Sequence, residues 1–457
     1  MTSGTSDRAD AFIEQHLDDS LEELKWLCAV PSVAAQNRGL DECAALLEEM
    51  LRRRGFETCV MDVPAAPPVV YAFRKGRSDR TLIFYNHYDV QPAEPLDLWE
   101  SSPFEGVVRD GAFYARGASD DKGHIVSRFA ALDALLATEG DLPCNVKFLI
   151  EGGEEISSPG IPSFVEQHRD LLAADACIWE FGGVDYEGRP GIVLGMRGIC
   201  YVELRVRTAS RDAHSGLGGS IFPNAAWRLV WVLATLKGLD ERVLIPGYYD
   251  KVRPPSEKDL ELLAELPDQE DKMRTTYDLK GYLNGLTGLE LRRAAAFEPT
   301  CTICGLTSGY QLEGSKTVLP AYASAKVDFR LVPDQSPEEV VTNLRKHLDD
   351  QGFEDVEVVF LGGEHPARVS PDDPFVALTA RTAEEVYGKP PAIAPMIGGS
   401  GPIHPFVDSL GVPVSNAGVG YPGGQAHAPN EHIRLHDFLL GTRHTVRILS
   451  EFGTTGR

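Results

Sequence analysis

The sequence predicts an α/β protein, a mixed sheet with helices on both faces, interrupted by an inserted α+β domain. Three observations carry this. Apolar, β-prone runs alternate with helical repeats up to about residue 198. From 200 to 362 the strands alternate apolar and polar residues, as a sheet with one open face requires. From about 370 the first pattern returns. The expected boundaries are 1–197 and 368–457 for a discontinuous α/β domain and 198–367 for the insertion.

The elements follow in order. Residues 8–28 and 39–54 repeat Leu and Ala at three- and four-residue steps, predicting helices. "VVYAFR" (69–74) and "TLIFYN" (81–86) predict strands, "GAFYARG" (111–117) a short one, and "KGHIVSRFAALDALLAT" (122–138) a helix. Strands at 145–151 and 175–180 flank a helix at 161–172, and a strand at 191–198 closes the first part. In the insertion, 200–208, 322–332 and 355–362 read as strands. Residues 224–237 and 336–352 read as helices, the second opened by a Ser/Glu cap, and 256–295 is a charged helical patch. The closing part has helices at 374–387 and 435–451 around a strand end at 413–420.

A chain of 457 residues exceeds one hydrophobic core and suits two or three domains. The formal net charge of −24 opposes general affinity for nucleic acid or anionic membranes. No run of about 18 apolar residues predicts a membrane span. The opening "MTSGTSDRAD" lacks the basic and apolar regions of a secretory leader. The eight scattered cysteines read as small hydrophobes in a reducing compartment, so the expected location is cytoplasmic. Cys301 and Cys304 form a single C-x-x-C, where a zinc ribbon needs two.

Ligands of open α/β sheets gather at the carboxyl ends of strands. Here those ends carry His87 and Asp89, then Asp120 and Asp121 in "GASDDKG", Glu154 and Glu155 in "EGGEEISSPG", and Glu180; His427 lies in the Gly-rich "GGQAHAPNEH". Singly, each has an ordinary reading: Asp120 as a helix N-cap, the two glutamates as a solvated pair, His427 as a loop histidine. Together, so many carboxylates in one cleft would repel unless cations neutralised them. Five such side chains suit two zinc or manganese ions about 3.5 Å apart, sharing one carboxylate. Adjacent glutamates can divide the labour, Glu155 binding metal and Glu154 taking the proton of a water. Asp89 can orient the His87 ring.

With these residues stand "NHYDVQP", "LWESSPFEGVVRDGAFYARGASDDKG", "LIEGGEEISSPG", "RDAHSGLGG", "GYQLEGSKTVLP", "DFRLVPD", "GGSGPI" and "GGQAHAPNE". By these motifs, in this order across nearly the whole chain, the sequence resembles the di-zinc aminoacylase, carboxypeptidase G and carnosinase family of metallopeptidases, closest to its carnosinase-like dipeptidases. The resemblance implies a zinc-peptidase-like catalytic domain and an insertion serving as lid and dimerisation domain. It implies two divalent cations per subunit, zinc first, with manganese or cobalt as substitutes. His87 and Glu180 would hold one, Glu155 and His427 the other, with Asp120 bridging. Glu154 would be the general acid/base and Asp89 the support of His87. From the insertion, His214 would reach the partner subunit's site to stabilise an oxyanion. Arg330 would bind the substrate carboxylate, and Thr317, Gly399 and Ser400 its backbone.

The sequence departs from that pattern at Asn86, where many relatives have Gly, and at Met396 and Ile397, where relatives often carry Arg-Glu. His404 is expected to be structural. The expected activity is hydrolysis of the amide bond of dipeptides or short peptides by a metal-bound hydroxide, in a homodimer; the alternative is N-acyl-amino-acid deacylation at the same metals. A non-catalytic binding module would lack a ligand or the base, and none is missing. A phosphate-binding loop needs a spacing that "GASDDKG" does not have.

Overall fold

The computed structural model describes residues 3–454, which form two compact units. Among the described residues the first comprises 3–194, 369–394 and 405–454 and the second 195–368 and 395–404. Residues 395–404 thus cluster with the insertion, not with the α/β part that surrounds them in sequence.

The first unit is built on a six-stranded mixed sheet in the order Glu57–Val63, Ala66–Arg74, Cys144–Glu151, Ser78–His87, Ala176–Trp179, Val414–Asn416. The last four strands run parallel and the first two antiparallel. Parallel strands are covered on both faces, so their residues are apolar throughout. Leu82, Ile83, Phe84 and Tyr85 are all fully buried, as are Phe148, Leu149 and Ile150 next door. Phe84 stacks on Phe148 at 5.1 Å between ring centroids, and Phe129 meets Phe148 edge-on. Each such side chain contributes roughly 1.5–3 kcal/mol of burial. Helix Lys122–Glu139 packs against the C-terminal helix Leu435–Thr454 and ends at Gly140, whose φ of 78° no β-carbon-bearing residue adopts readily.

The second unit is a four-stranded antiparallel sheet, ordered Thr300–Ser308, Tyr322–Leu331, Gly198–Arg207, Glu357–Glu364. Gly198–Arg207 alternates buried and half-buried residues along its length. Its buried side (Cys200, Val202, Leu204, Val206) packs with Leu229 and Val232 of helix Ala225–Leu236 and Leu344 of helix Pro337–Asp350.

Some expectations need correction. The helix over 8–28 is two, Ser3–Gln15 and Leu17–Ala29, broken at His16, whose backbone (φ −108°, ψ 20°) leaves the helical range while its ring pairs with Asp19 at 2.8 Å. The strand over 191–198 is two short pieces, Pro190–Val193 and Gly195–Met196, in different sheets. Besides several short pieces of two or three residues, two longer strands lacked a sequence signal, Glu57–Val63 and Thr300–Ser308. Both are sheet edges with mostly exposed residues, so neither carries an apolar run.

Candidate metal centre

In the first unit the parallel strands end in the same neighbourhood, and their terminal residues meet there. His87 closes Ser78–His87 and pairs in register with Glu151 of the adjacent strand. Its Nδ1–H donates to the backbone carbonyl of Asp89 (3.0 Å), a partner that can only accept. That fixes the tautomer and turns Nε2 toward Asp120 Oδ1 at 2.9 Å. His427 Nε2 lies 3.0 Å from the other oxygen, Asp120 Oδ2, and 3.2 Å from Glu155 Oε2. Asp120 therefore presents one oxygen to each histidine, the arrangement a carboxylate needs to bridge two cations. Ligand atoms of Asp120, Glu155 and His427 all fall within 4.8 Å of one another. Glu180, buried just beyond Ala176–Trp179, lies close enough to feel Glu154, His87 and Asp120 electrostatically.

The residues fit a metal pair on a further observation. Glu155 Oε1 and Glu180 Oε2 are buried and have no hydrogen-bond partner. A buried carboxylate oxygen left bare is costly unless something positive meets it. The titration directions agree. Burial pushes Glu180 well above the ordinary carboxylate range, with Glu154 adding to it. Burial lowers His87, but hydrogen bonds to Asp120 and Asp89 outweigh it and hold the ring well above its usual value. Hydrogen bonds to Asp120 and then Glu155 raise His427 to about 10. Burial raises Asp120, yet His427 and His87 pull it below the usual range. Burial, opposed by His87 and assisted by Asp120 and Glu155, sets Glu154 at about 7.

Around the ligands stand carboxylates whose partners are backbone amides. Asp89 Oδ1 accepts from Glu154 N–H (3.1 Å) and Oδ2 from Glu155 N–H (3.0 Å). Asp89 thus supports His87 mainly through its carbonyl, with its own Oδ1 3.4 Å from Nδ1, and spends its carboxylate on the glutamate turn. Glu431 accepts from Ser119 N–H (2.8 Å), Asp120 N–H (3.0 Å) and Gly117 N–H (3.0 Å), and its buried charge is met by Arg116. Asp121, not Asp120, is the N-cap residue of Lys122–Glu139, and its Oδ2 accepts from His87 N–H at 3.2 Å, so the capping reading of Asp120 falls. Gln91 Nε2 donates to Glu155 Oε2 at 2.8 Å. Gln91, Glu431 and Arg116 had no sequence signal as singly informative residues, although each sits four residues from a candidate ligand.

The second unit gathers the remaining five candidates into two groups. Ala213–His214 pairs antiparallel with Val318–Leu319, and Ser215 N–H donates to the Thr317 carbonyl at 3.0 Å, so His214 and Thr317 are neighbours. His214 is exposed; its Nδ1 accepts from Gly216 N–H and caps the short helix Ser215–Gly218. Arg330 donates from Nη1 to Ser400 Oγ at 2.8 Å, and Arg197 N–H holds the Gly399 carbonyl at 3.0 Å. Met396 is buried in a small cluster with Leu263, Ala296 and Phe297, and Ile397 N–H bonds the Gly195 carbonyl. The His404 ring lies tilted against that of His365, 4.7 Å between centroids. Cys301 and Cys304 are both free.

The chain is 27% identical to the Beta-Ala-His dipeptidase of Rattus norvegicus, covering 96% of this chain and 94% of that protein. It is 29% identical to the Cys-Gly metallodipeptidase dug1 of Schizosaccharomyces pombe, over 84% and 82%. The crystal structure of an M20 family metallo-carboxypeptidase, Sso-CP2 from Sulfolobus solfataricus, superposes with a TM-score of 0.89 at 36% identity, over 95% of this chain and 99% of that one. The profile of peptidase family M20/M25/M40 matches residues 83–451. The chain is therefore an enzyme, a metallopeptidase belonging to peptidase family M20/M25/M40.

Proposed function

We propose that this enzyme hydrolyses the peptide bond of dipeptides with a free carboxylate, at a two-cation centre. One observation carries the reading: the two oxygens of Asp120 face two different imidazoles, at 2.9 and 3.0 Å. His87 and Glu180 would hold one divalent cation, Glu155 and His427 the other, and Asp120 both. Zinc suits this nitrogen and oxygen donor set, with manganese or cobalt as substitutes. When bound, the cations lower the pKa of a water and polarise the amide carbonyl.

The chain's own residues do the rest. Glu154, on the turn braced by Asp89, accepts the proton of the attacking water and returns it to the leaving amine. His214 donates to the developing oxyanion, reaching the site of the partner subunit. Arg330 takes the substrate carboxylate, with Ser400 steering the guanidinium and Thr317 and Gly399 contacting the substrate backbone. Dipeptide substrates are favoured by the dipeptidase names of the rat and fission-yeast relatives.

A homodimer formed through the second unit is favoured by its exposed apolar residues Leu217, Ile221, Phe222, Trp227 and Trp231, and by Ile303 and Leu306 on the edge strand Thr300–Ser308. Cysteine usage favours a cytoplasmic location: all eight are free and six are buried. No helix among the described residues is long and apolar enough to cross a membrane. The test is a panel of dipeptides beside a panel of N-acetyl-amino acids, with metal analysis on the same sample. Two equivalents of metal with dipeptide turnover are expected. Rapid turnover of the acylated amino acids alone would replace this reading by deacylation.

A further inference from the structure

Arg128 is a fully buried cation that the reaction does not use and that no carboxylate touches directly. It lies on helix Lys122–Glu139, seven residues after Asp121, so two turns bring it back to the same face. Its Nη1 donates to the Tyr85 carbonyl (2.8 Å) and to Asn86 Oδ1. Its Nη2 donates to the Trp179 and Glu180 carbonyls, the latter at 3.1 Å. One rigid guanidinium therefore ties the end of the strand delivering His87 to the end of the strand delivering Glu180.

The neutral residue beside it completes the connection. Asn86 Oδ1 faces Arg128, which can only donate, and Nδ2 faces Asp121 Oδ2 at 2.5 Å, so the amide has one orientation that satisfies both. Asp121 in turn accepts from His87 N–H. Arg128, Asn86 and Asp121 form a closed relay around His87, Glu180 and the segment carrying Asp120. Neither Glu155 nor His427 belongs to it: Glu155 is held by Asp89 and Gln91, and His427 contacts Asp120 and Glu155.

We propose that Arg128, acting on Asn86 and on the strand-end carbonyls, is the positioning residue of the cation position formed by His87 and Glu180, and bears far less on the one formed by Glu155 and His427. This rests on the two-cation reading above. A residue that merely stabilised the fold would weaken both positions alike. A lysine could not replace it, because a single ammonium lacks the fork that spans two strand ends.

The test is a zinc titration of the full-length protein against a competing chromophoric chelator, for the wild type, Arg128→Met, Asn86→Ala, and two reference variants, Glu180→Gln and His427→Ala. The wild type should bind two zinc ions; one or none would overturn the two-cation reading itself. Arg128→Met should weaken one step by roughly 10–100-fold, as loss of a ligand-orienting partner does, and change the other less than about threefold. The weakened step should be the one Glu180→Gln abolishes, not the one His427→Ala abolishes. Asn86→Ala, which keeps the guanidinium and its carbonyl contacts, should weaken the same step by a smaller factor. Equal weakening of both steps, no weakening, or weakening of the His427 step overturns the proposal. Should Arg128→Met fail to fold, Asn86→Ala decides, by the same criterion.

Discussion

Replacing Glu154 by Gln removes a proton acceptor while keeping the size of the side chain. The Asp89 brace holds the backbone amides of residues 154 and 155, not their side chains, so the turn and the Glu155 ligand stay in place. Cation content should be unchanged. General-base assistance is worth roughly 10²–10⁴-fold, so kcat on the best dipeptide should fall by that factor, about 3–5 kcal/mol of barrier. A second magnitude comes from the metal-free protein. A folded-state pKa raised from 4.5 to about 7 means that the ionised carboxyl is disfavoured by at most about 3 kcal/mol. The wild type therefore loses stability as pH rises through that interval, and a neutral glutamine removes the loss. Metal-stripped Glu154→Gln should melt above the metal-stripped wild type at pH 8, and the gap should close near pH 4.5. The assays are kcat with metal content by mass spectrometry, and thermal melts after chelation. A kcat within tenfold of wild type, with metal intact, would refute Glu154 as the base.

Other expectations bear on separate parts of the molecule. His444 is buried against the Thr379 carbonyl and the Thr382 hydroxyl, and burial pushes it from 6.5 down to about 4. Its stabilisation is present above pH 6.5 and is lost as pH falls toward 4, up to about 3 kcal/mol, so His444→Gln should flatten the acid side of a melting curve taken against pH; an unchanged slope would sink this. Equal mixing of His214→Ala and Glu154→Gln subunits should restore about a quarter of the wild-type rate, since half the dimers are hybrids with one complete site each; no recovery would place His214 in its own subunit's site. Arg330→Met should raise KM for dipeptides at least tenfold and leave dipeptide amides, already lacking the carboxylate, little affected; equal losses on both would argue against a carboxylate anchor.

The candidate ligands could be picked out in the sequence because a parallel sheet exposes chemistry at one edge. His87, Glu155 and Glu180 each follow an apolar run, and the run predicts both the strand and where it stops. The braces were not legible. Glu431 acts on amides 311 to 314 positions earlier, and Asp89 on amides 65 and 66 positions later, at separations that carry no periodic signal. Arg128 sits amid the apolar face of a helix where a cation reads as an anomaly or a surface residue, and only the packed structure shows its four acceptors. The edge strand Thr300–Ser308 was hidden for the opposite reason: its exposed residues give no apolar alternation until a neighbour is known. At residues 396–397 the sequence showed only lost charges, whereas the structure shows Met396 filling an apolar cluster.

Asp89 divides its two ends between two jobs, its carbonyl for the histidine ring and its carboxylate for the glutamate turn. On the proposed reading, the orientation of one candidate ligand and the placement of the candidate base are thereby set by a single residue. Errors there would be correlated, so an engineer seeking to loosen metal specificity while sparing proton transfer should leave this aspartate alone and work from the His427 loop instead.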